Sequence, residues 1–256
     1  MSRIDLFKEH LKEKRALKII AGIDNFDIEN VKKVVSAANQ AGASAIDICA
    51  SEDIFVVARQ LTELPLFVSS INPEELAQAV KMGADAIELG NFDALYKKGV
   101  RMGADEVLEL ARKTMSLIKK SEVLSETFFS VTVPGHISVA AQIELARKLE
   151  ELGVDLIQTE GSTIANVQSK GARGLIETAQ VSIANTIEIS RNIDIPVMTA
   201  SGITTTTAAL AFAAGASAIG VGSCINKLDS SLAMVAVIKN LVEIANRNIK
   251  KEAVLI

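Results

Sequence analysis

The sequence contains no tryptophan and one tyrosine, and aromatic residues make up only 4% of its 256 positions. That leaves few rings from which to build a stacking platform. Cysteine occurs twice, which excludes a disulfide scaffold in a chain of this length and points to a reducing compartment. Histidine also occurs twice. No histidine pair and no CxxC stands at ligand spacing, so no metal site is expected. The balance of 27 Lys and Arg against 31 Asp and Glu gives a net charge of −4. Without a basic cluster to interrupt this mild acidity, nothing marks a nucleic-acid partner. No apolar run reaches the ~18 residues that would span a bilayer, so no membrane association is expected. Residues 2–14 carry Asp5, Glu9 and Glu13, unlike a transit peptide, and lack the apolar core of a signal peptide. Ile4, Phe7 and Leu11 instead share one helical face, predicting an N-terminal helix within residues 1–15 that caps one end of the domain.

What the sequence does hold is 49% apolar residues and an internal repeat. AGASAIDI (41–48), MGADAIEL (82–89), LGVDLIQT (152–159) and AGASAIGV (214–221) each follow an amphipathic helical pattern. Their glycine suits the left-handed position just past a helix C-terminus, and the apolar stretch after it is strand-like. ALKIIAG (16–22), PLFVSS (65–70), FFSVTV (128–133) and IPVMTAS (195–201) are four further strands. Helical patterns separate them, at about 27–41, 52–62, 73–81, 104–119, 138–151, 175–191, 204–213 and 230–246. Asn72-Pro73-Glu74-Glu75 and Ser51-Glu52-Asp53 read as helix starts. Eight strands alternating with eight helices require parallel pairing. About 250 residues is the usual size of one α/β (β/α)₈ TIM barrel, so residues 1–256 are read as a single such domain. An open doubly wound sheet is the alternative, but it does not account for four similar units on alternate strands.

Strand side chains alternate between faces. With Ile46 and Ile48 facing the helices, Asp47 and Cys49 face inward. The repeat then predicts an interior layer of Asp47, Glu88, Gln158 and Gly220, with Cys49, Gly90, Glu160 and Gly222 above it. Buried acids need partners, water or a use. Lys18, on the first strand, is the obvious partner for Asp47 or Glu88. It reads either as half of an ion pair or as an acid/base or Schiff-base group beside a carboxylate. Lys18, Asp47, Glu88 and Glu160 are the candidate catalytic residues.

Barrel active sites lie at the C-terminal strand ends, and the loops after strands 7 and 8 commonly hold phosphate. Here those ends carry Ser201, Gly202 and Ile203, and Gly222 and Ser223. The glycines leave backbone N–H groups uncovered. Thr204 to Thr207 are expected to begin the next helix. His136, Asn25, Ser69 and Asn91 at other strand ends, with Gln158, are candidate substrate contacts. The stretches 161–174, with Lys170 and Arg173, and 91–104, with Phe92, Leu95 and Tyr96, are long enough to cover the mouth. Cys49 and Cys224 are expected to be free thiols.

ASGI (200–203) with AIGVGS (218–223) resembles the TIM-barrel phosphate-binding superfamily. LKIIAGIDNFD (17–27), VTVPGH (131–136) and IQTEGS (157–162) resemble the hypothetical chloroplast reading frame twenty-three family of algal plastids and cyanobacteria. The resemblance implies a barrel in the plastid (chloroplast) stroma or the cyanobacterial cytoplasm. It assigns no reaction, because the family domain is one of unknown function. Three functions follow as expectations. The first is an enzyme that binds a small phosphorylated molecule and performs isomerase, epimerase or lyase chemistry. The second is an FMN oxidoreductase, since the cradle suits the FMN phosphate and residues 151–223 faintly resemble FMN-dependent barrels of the nitronate-oxidising type. The third is a non-catalytic sensor of a phosphorylated metabolite. A homo-oligomer is compatible with all three.

Overall fold

The computed structural model describes residues 2–96, 98–99, 101–119, 127–161 and 167–252, the side chains of 249–252 aside. Eight strands, β1 (Ala16–Ile20), β2 (Ala45–Cys49), β3 (Leu66–Ser70), β4 (Ala86–Leu89), β5 (Phe128–Val133), β6 (Leu156–Thr159), β7 (Val197–Thr199) and β8 (Ala218–Val221), pair in sequence order and close into a barrel. All pairs are parallel. The helices are α1 (Arg3–Lys12), α2 (Ile28–Ala41), α3 (Glu52–Leu61), α4 (Pro73–Lys81), α5 (Asp93–Tyr96), α6 (Ala104–Lys119), α7 (Val139–Leu152), α8 (Gly171–Ser190), α9 (Ala208–Ala213), α10 (Ser223–Asn226) and α11 (Ser231–Glu252).

The repeat does two jobs. Its glycines, Gly42, Gly83, Gly153 and Gly215, all adopt positive φ between 78° and 102°, so each ends a helix as expected. Its polar residue two places later pins the lower rim. Ser44 Oγ accepts from Leu17 N–H at 2.9 Å, Asp85 from Leu66 N–H at 2.9 Å, and Asp155 from Phe129 N–H at 2.8 Å. Each bond ties a repeat unit to the preceding strand. Other local signals hold as well. Asp27 caps α2 by accepting from Glu29 and Asn30 N–H groups, and Asn72 caps α4 ahead of Pro73.

Helix α11 runs on to Glu252, past the expected end at 246, and two helix starts differ from expectation by four residues. Helix α8 starts at Gly171, not 175. Ser169 and Arg173 both bond Glu177, and these contacts outweigh the low helix propensity of Gly171 and Gly174. Thr204–Thr207 form a turn ahead of α9 rather than its first residues. The Thr207 and Thr204 hydroxyls bond the N–H groups of Thr204 and Thr206, an alternative to the helix ladder.

Inside the barrel the layers change character with height. The lowest consists of Ala16, Ala45, Phe67, Ala86, Phe128, Leu156, Met198 and Ala218, and packs on Ile4, Phe7 and Leu11 of α1. Phe7 is wholly buried, its ring edge-on to Phe67 at 5.0 Å and Phe128 at 5.9 Å between centroids. The predicted capping helix is thus a plug for the N-terminal end. The outward-facing strand residues, Ile19, Ile46, Ile48, Val68, Ile87, Val131, Ile157 and Ile219 among them, form a second core under the helices.

Candidate active site

Above the apolar layer the interior turns polar. Strand register sets Lys18 beside Gly220, Ser69 beside Glu88 and Glu88 beside Ser130. Lys18 Nζ lies 2.6 Å from Glu88 Oε2, which also accepts from Ser130 Oγ at 2.9 Å. The ammonium stands 5.0 Å from the Phe67 ring centroid. Gln158 Nε2 donates to Glu88 Oε1 at 2.9 Å, Asn91 Oδ1 at 2.9 Å and Thr132 Oγ1 at 3.0 Å. Asn91 Nδ2 in turn reaches Asp47 Oδ2 at 3.1 Å, and Ser69 Oγ donates to Asp47 Oδ1. Lys18, Asp47, Ser69 and Glu88 are all fully buried. Burial, and secondarily the Glu88 charge, pushes the Asp47 carboxyl up to about 7 against the pull of Lys18.

This network is the foundation of a cavity of about 740 Å³ at the C-terminal ends of the strands. Gln158 and Asn91 rise from the layer to line it, whereas Lys18, Asp47, Glu88 and Ser69 do not. Of the four candidate catalytic residues, only Glu160 reaches the cavity wall. Its Oε2 accepts from Tyr96 Oη at 2.5 Å and its Oε1 from Asp93 N–H at 2.5 Å. His136 Nδ1 is 3.0 Å from the same Tyr96 oxygen. With Glu160 ionised the tyrosine proton is directed at it and the imidazole Nδ1 donates to Tyr96 Oη, whereas with Glu160 protonated both bonds reverse and Nδ1 accepts. The three form a chain from the partly exposed His136 to the buried Glu160. Burial and the neighbouring Asp93 carboxylate hold Glu160 well above the usual carboxylate range. Asp93 is itself raised by burial, opposed by a hydrogen bond from Ser201. Burial lowers His136 and raises Tyr96.

Gly202, Ile203, Gly222, Ser223 and Ser201, the residues expected from sequence to cradle a phosphate, all line the same cavity. Among the described residues, no protein acceptor takes the N–H groups of Gly202, Gly222 or Ser223. Gly202 has φ +77°, and a Cβ there would stand 2.9 Å from the Thr178 carbonyl oxygen. Ser201 and Asn91 also have positive φ, 70° and 61°, so two non-glycine residues of the wall are held in a costly conformation.

Asn25 turns away to bond the Ala21 carbonyl and Asn30, and neither it nor His136 lines the cavity. Lys170 and Arg173 do not line it either, and Arg173 pairs with Glu177. Of the stretch 161–174 expected to cover the mouth, residues 162–166 lie outside the described residues. Phe92 and Tyr96 pack into the core behind the wall. Cys49 and Cys224 are free, with both thiols pushed by burial up to about 11. The sequence reading missed Asp93, Asn226, Lys227 and Asp24, all of which line the cavity. Asp93 opens α5, where an acid reads as an ordinary helix-start residue. Asn226 and Lys227 belong to the end of the four-residue α10, too short for any periodic signal.

The family model for "Protein of unknown function (DUF561)" matches residues 2–251, and the chain belongs to that family. An uncharacterized protein ycf23 of Cyanophora paradoxa is 40% identical over 241 residues, covering 94% of this chain and 95% of its own. Among solved structures, wild-type GGGPS from Thermoplasma volcanium aligns with a TM-score of 0.64 at 16% identity, over 96% of this chain and 98% of that one. A 3-hexulose-6-phosphate synthase aligns at 0.60 and 14% identity, over 90% and 99%. Likenesses at such identities establish the TIM-barrel fold alone.

Proposed function

We propose that this member of the family binds a small phosphorylated metabolite and moves a proton at a carbon beside a carbonyl, as an isomerase, epimerase or lyase. The carrying observation is that a buried carboxyl with a raised pKa, Glu160, lines the same cavity as the uncovered amides of Gly202, Gly222 and Ser223. The amides, with the exposed Lys227 beside them, take the phosphate. That fixes the reacting carbon near Glu160, which accepts its proton and returns it. Tyr96 and His136 exchange the proton with solvent by a hand-over along their hydrogen bonds. In this reading Lys18, Asp47 and Glu88, expected from sequence to act on substrate, work through Gln158 and Asn91, which they orient. The neighbour whose name contains a sugar phosphate, the 3-hexulose-6-phosphate synthase, is consistent with this substrate class. The family resemblance supports the plastid stroma or the cyanobacterial cytoplasm as its place of action.

Mass spectrometry of the compound that co-purifies with the native protein, followed by solvent-deuterium exchange into that compound, tests this. A phosphorylated ligand that exchanges deuterium, with Glu160→Gln slowing exchange by about a hundredfold or more, is expected. A ligand without phosphate, or exchange indifferent to Glu160→Gln, would overturn it. A phosphorylated ligand that never turns over returns the sensor reading, and a yellow protein the FMN reading.

A further inference from the structure

Two amide side chains in the cavity wall are locked in orientation with their carbonyl oxygens unused. Gln158 must present its nitrogen to Glu88, Asn91 and Thr132, because turning it over would set Oε1 against the Glu88 carboxylate. The residue is 1% exposed, and Gln158 Oε1 has no donor among the described residues. Asn226 is fixed the same way. Its Nδ2 donates to the carbonyls of Ile20 at 3.0 Å and Ala21 at 3.1 Å, which can only accept. Its buried Oδ1 is likewise without a donor. Both residues line the mouth cavity beside the Gly222 and Ser223 amides. Gly220 supplies the space: a Cβ there would stand 3.3 Å from Gln158 Oε1 and 3.0 Å from the Ala200 methyl.

Buried acceptors without donors are uncommon, and an occupant that supplies the donors gains by it. A phosphate dianion cannot do so, being an acceptor itself. We propose that Gln158 Oε1 and Asn226 Oδ1 form a donor-reading subsite that takes hydroxyl groups on the carbons next to the phosphate, making the ligand a phosphorylated polyol or sugar rather than a deoxygenated or flat aromatic phosphate. This rests on the phosphate reading above and narrows it. The subsite also gives the acidic layer a purpose: Glu88 holds the Gln158 nitrogen, which leaves the amide oxygen as the free acceptor.

Calorimetric titration of the full chain with glycerol 3-phosphate and with propyl phosphate separates the two statements, because the esters differ only in hydroxyl groups. Glycerol 3-phosphate should bind about tenfold tighter or better. Gly220→Ala should erase that difference while leaving propyl phosphate within about twofold, and Asn226→Leu, with circular dichroism as the folding control, should shrink it too. Equal affinities for the two esters in the unmodified protein would overturn the subsite and leave the phosphate reading standing. If neither ester binds while free glycerol does, with sensitivity to Gly220→Ala by ligand-observed NMR, the subsite stands and the phosphate reading falls. No binding of any of the three overturns both.

Discussion

Asp47 shows how a single buried group sets a pH dependence for the whole fold. Its carboxyl titrates near 7 rather than at its ordinary 3.8, chiefly because it has lost water. Between those values the folded chain holds a proton that the unfolded chain has released. The stability this proton contributes is complete below about pH 4 and is lost as pH rises through 7, with a slope approaching ~1.4 kcal/mol per pH unit. Asp47→Asn keeps acceptor and donor capacity toward Asn91 and Ser69 but carries no titrating proton. Chemical denaturation at pH 5 and pH 8 should therefore show the variant losing less stability than the unmodified protein over that interval. Parallel losses in the two proteins would mean that Asp47 stays ionised beside Lys18 throughout. At this same scale the sequence was legible in part. The inward alternation of Asp47, Glu88 and Gln158 followed from strand period alone. Which of them would meet a ligand did not, because period gives direction and not height along the barrel axis.

Among the elements, α1 is separate from the chemistry and yet holds the barrel closed. Phe7 enters the ring of Phe67 and Phe128 at the end opposite the cavity. Phe7→Ala should cost about 3–5 kcal/mol of stability, measured by denaturant unfolding, with the affinity for phosphate esters unchanged. A variant that lost ligand affinity while keeping stability would tie the plug to the site instead. The longer elements were readable because they obey a period and carry punctuation. The repeat glycines end helices, and Ser44, Asp85 and Asp155 tie successive strands together. The short ones were not. Four residues make one turn, so α5 and α10 leave no pattern, and the residues they place, Asp93 and Asn226, look like turn residues. The start of α8 was hidden for a different reason: a side-chain contact from Ser169, in the preceding loop, to Glu177 in the same helix decides it against backbone propensity.

At the scale of the molecule the barrel axis runs from an apolar plug, through a charged layer, to a polar cavity, and the middle layer couples the ends. Lys18 and Glu88 are both fully buried at 2.6 Å. A pair of this kind is weak evidence of net stabilisation, but removing one partner strands the other. Lys18→Met should thus destabilise by about 3–5 kcal/mol, because Glu88 keeps only Ser130 and Gln158 as donors among the described residues. Lys18→Met/Glu88→Gln should recover at least half of that loss, since the neutral amide replacing the carboxylate can accept from Gln158 and donate to the Ser130 hydroxyl. The double variant also separates scaffold from chemistry. If the layer serves to aim Gln158 and Asn91, a folded double variant keeps ester binding and most deuterium exchange, within about tenfold of the unmodified protein. A Lys18 that acts directly on substrate would instead drag exchange down as far as Glu160→Gln does, in a protein that still folds and still binds. Unfolding curves and exchange rates on the unmodified protein, Lys18→Met, the double variant and Glu160→Gln decide between a foundation and a reagent.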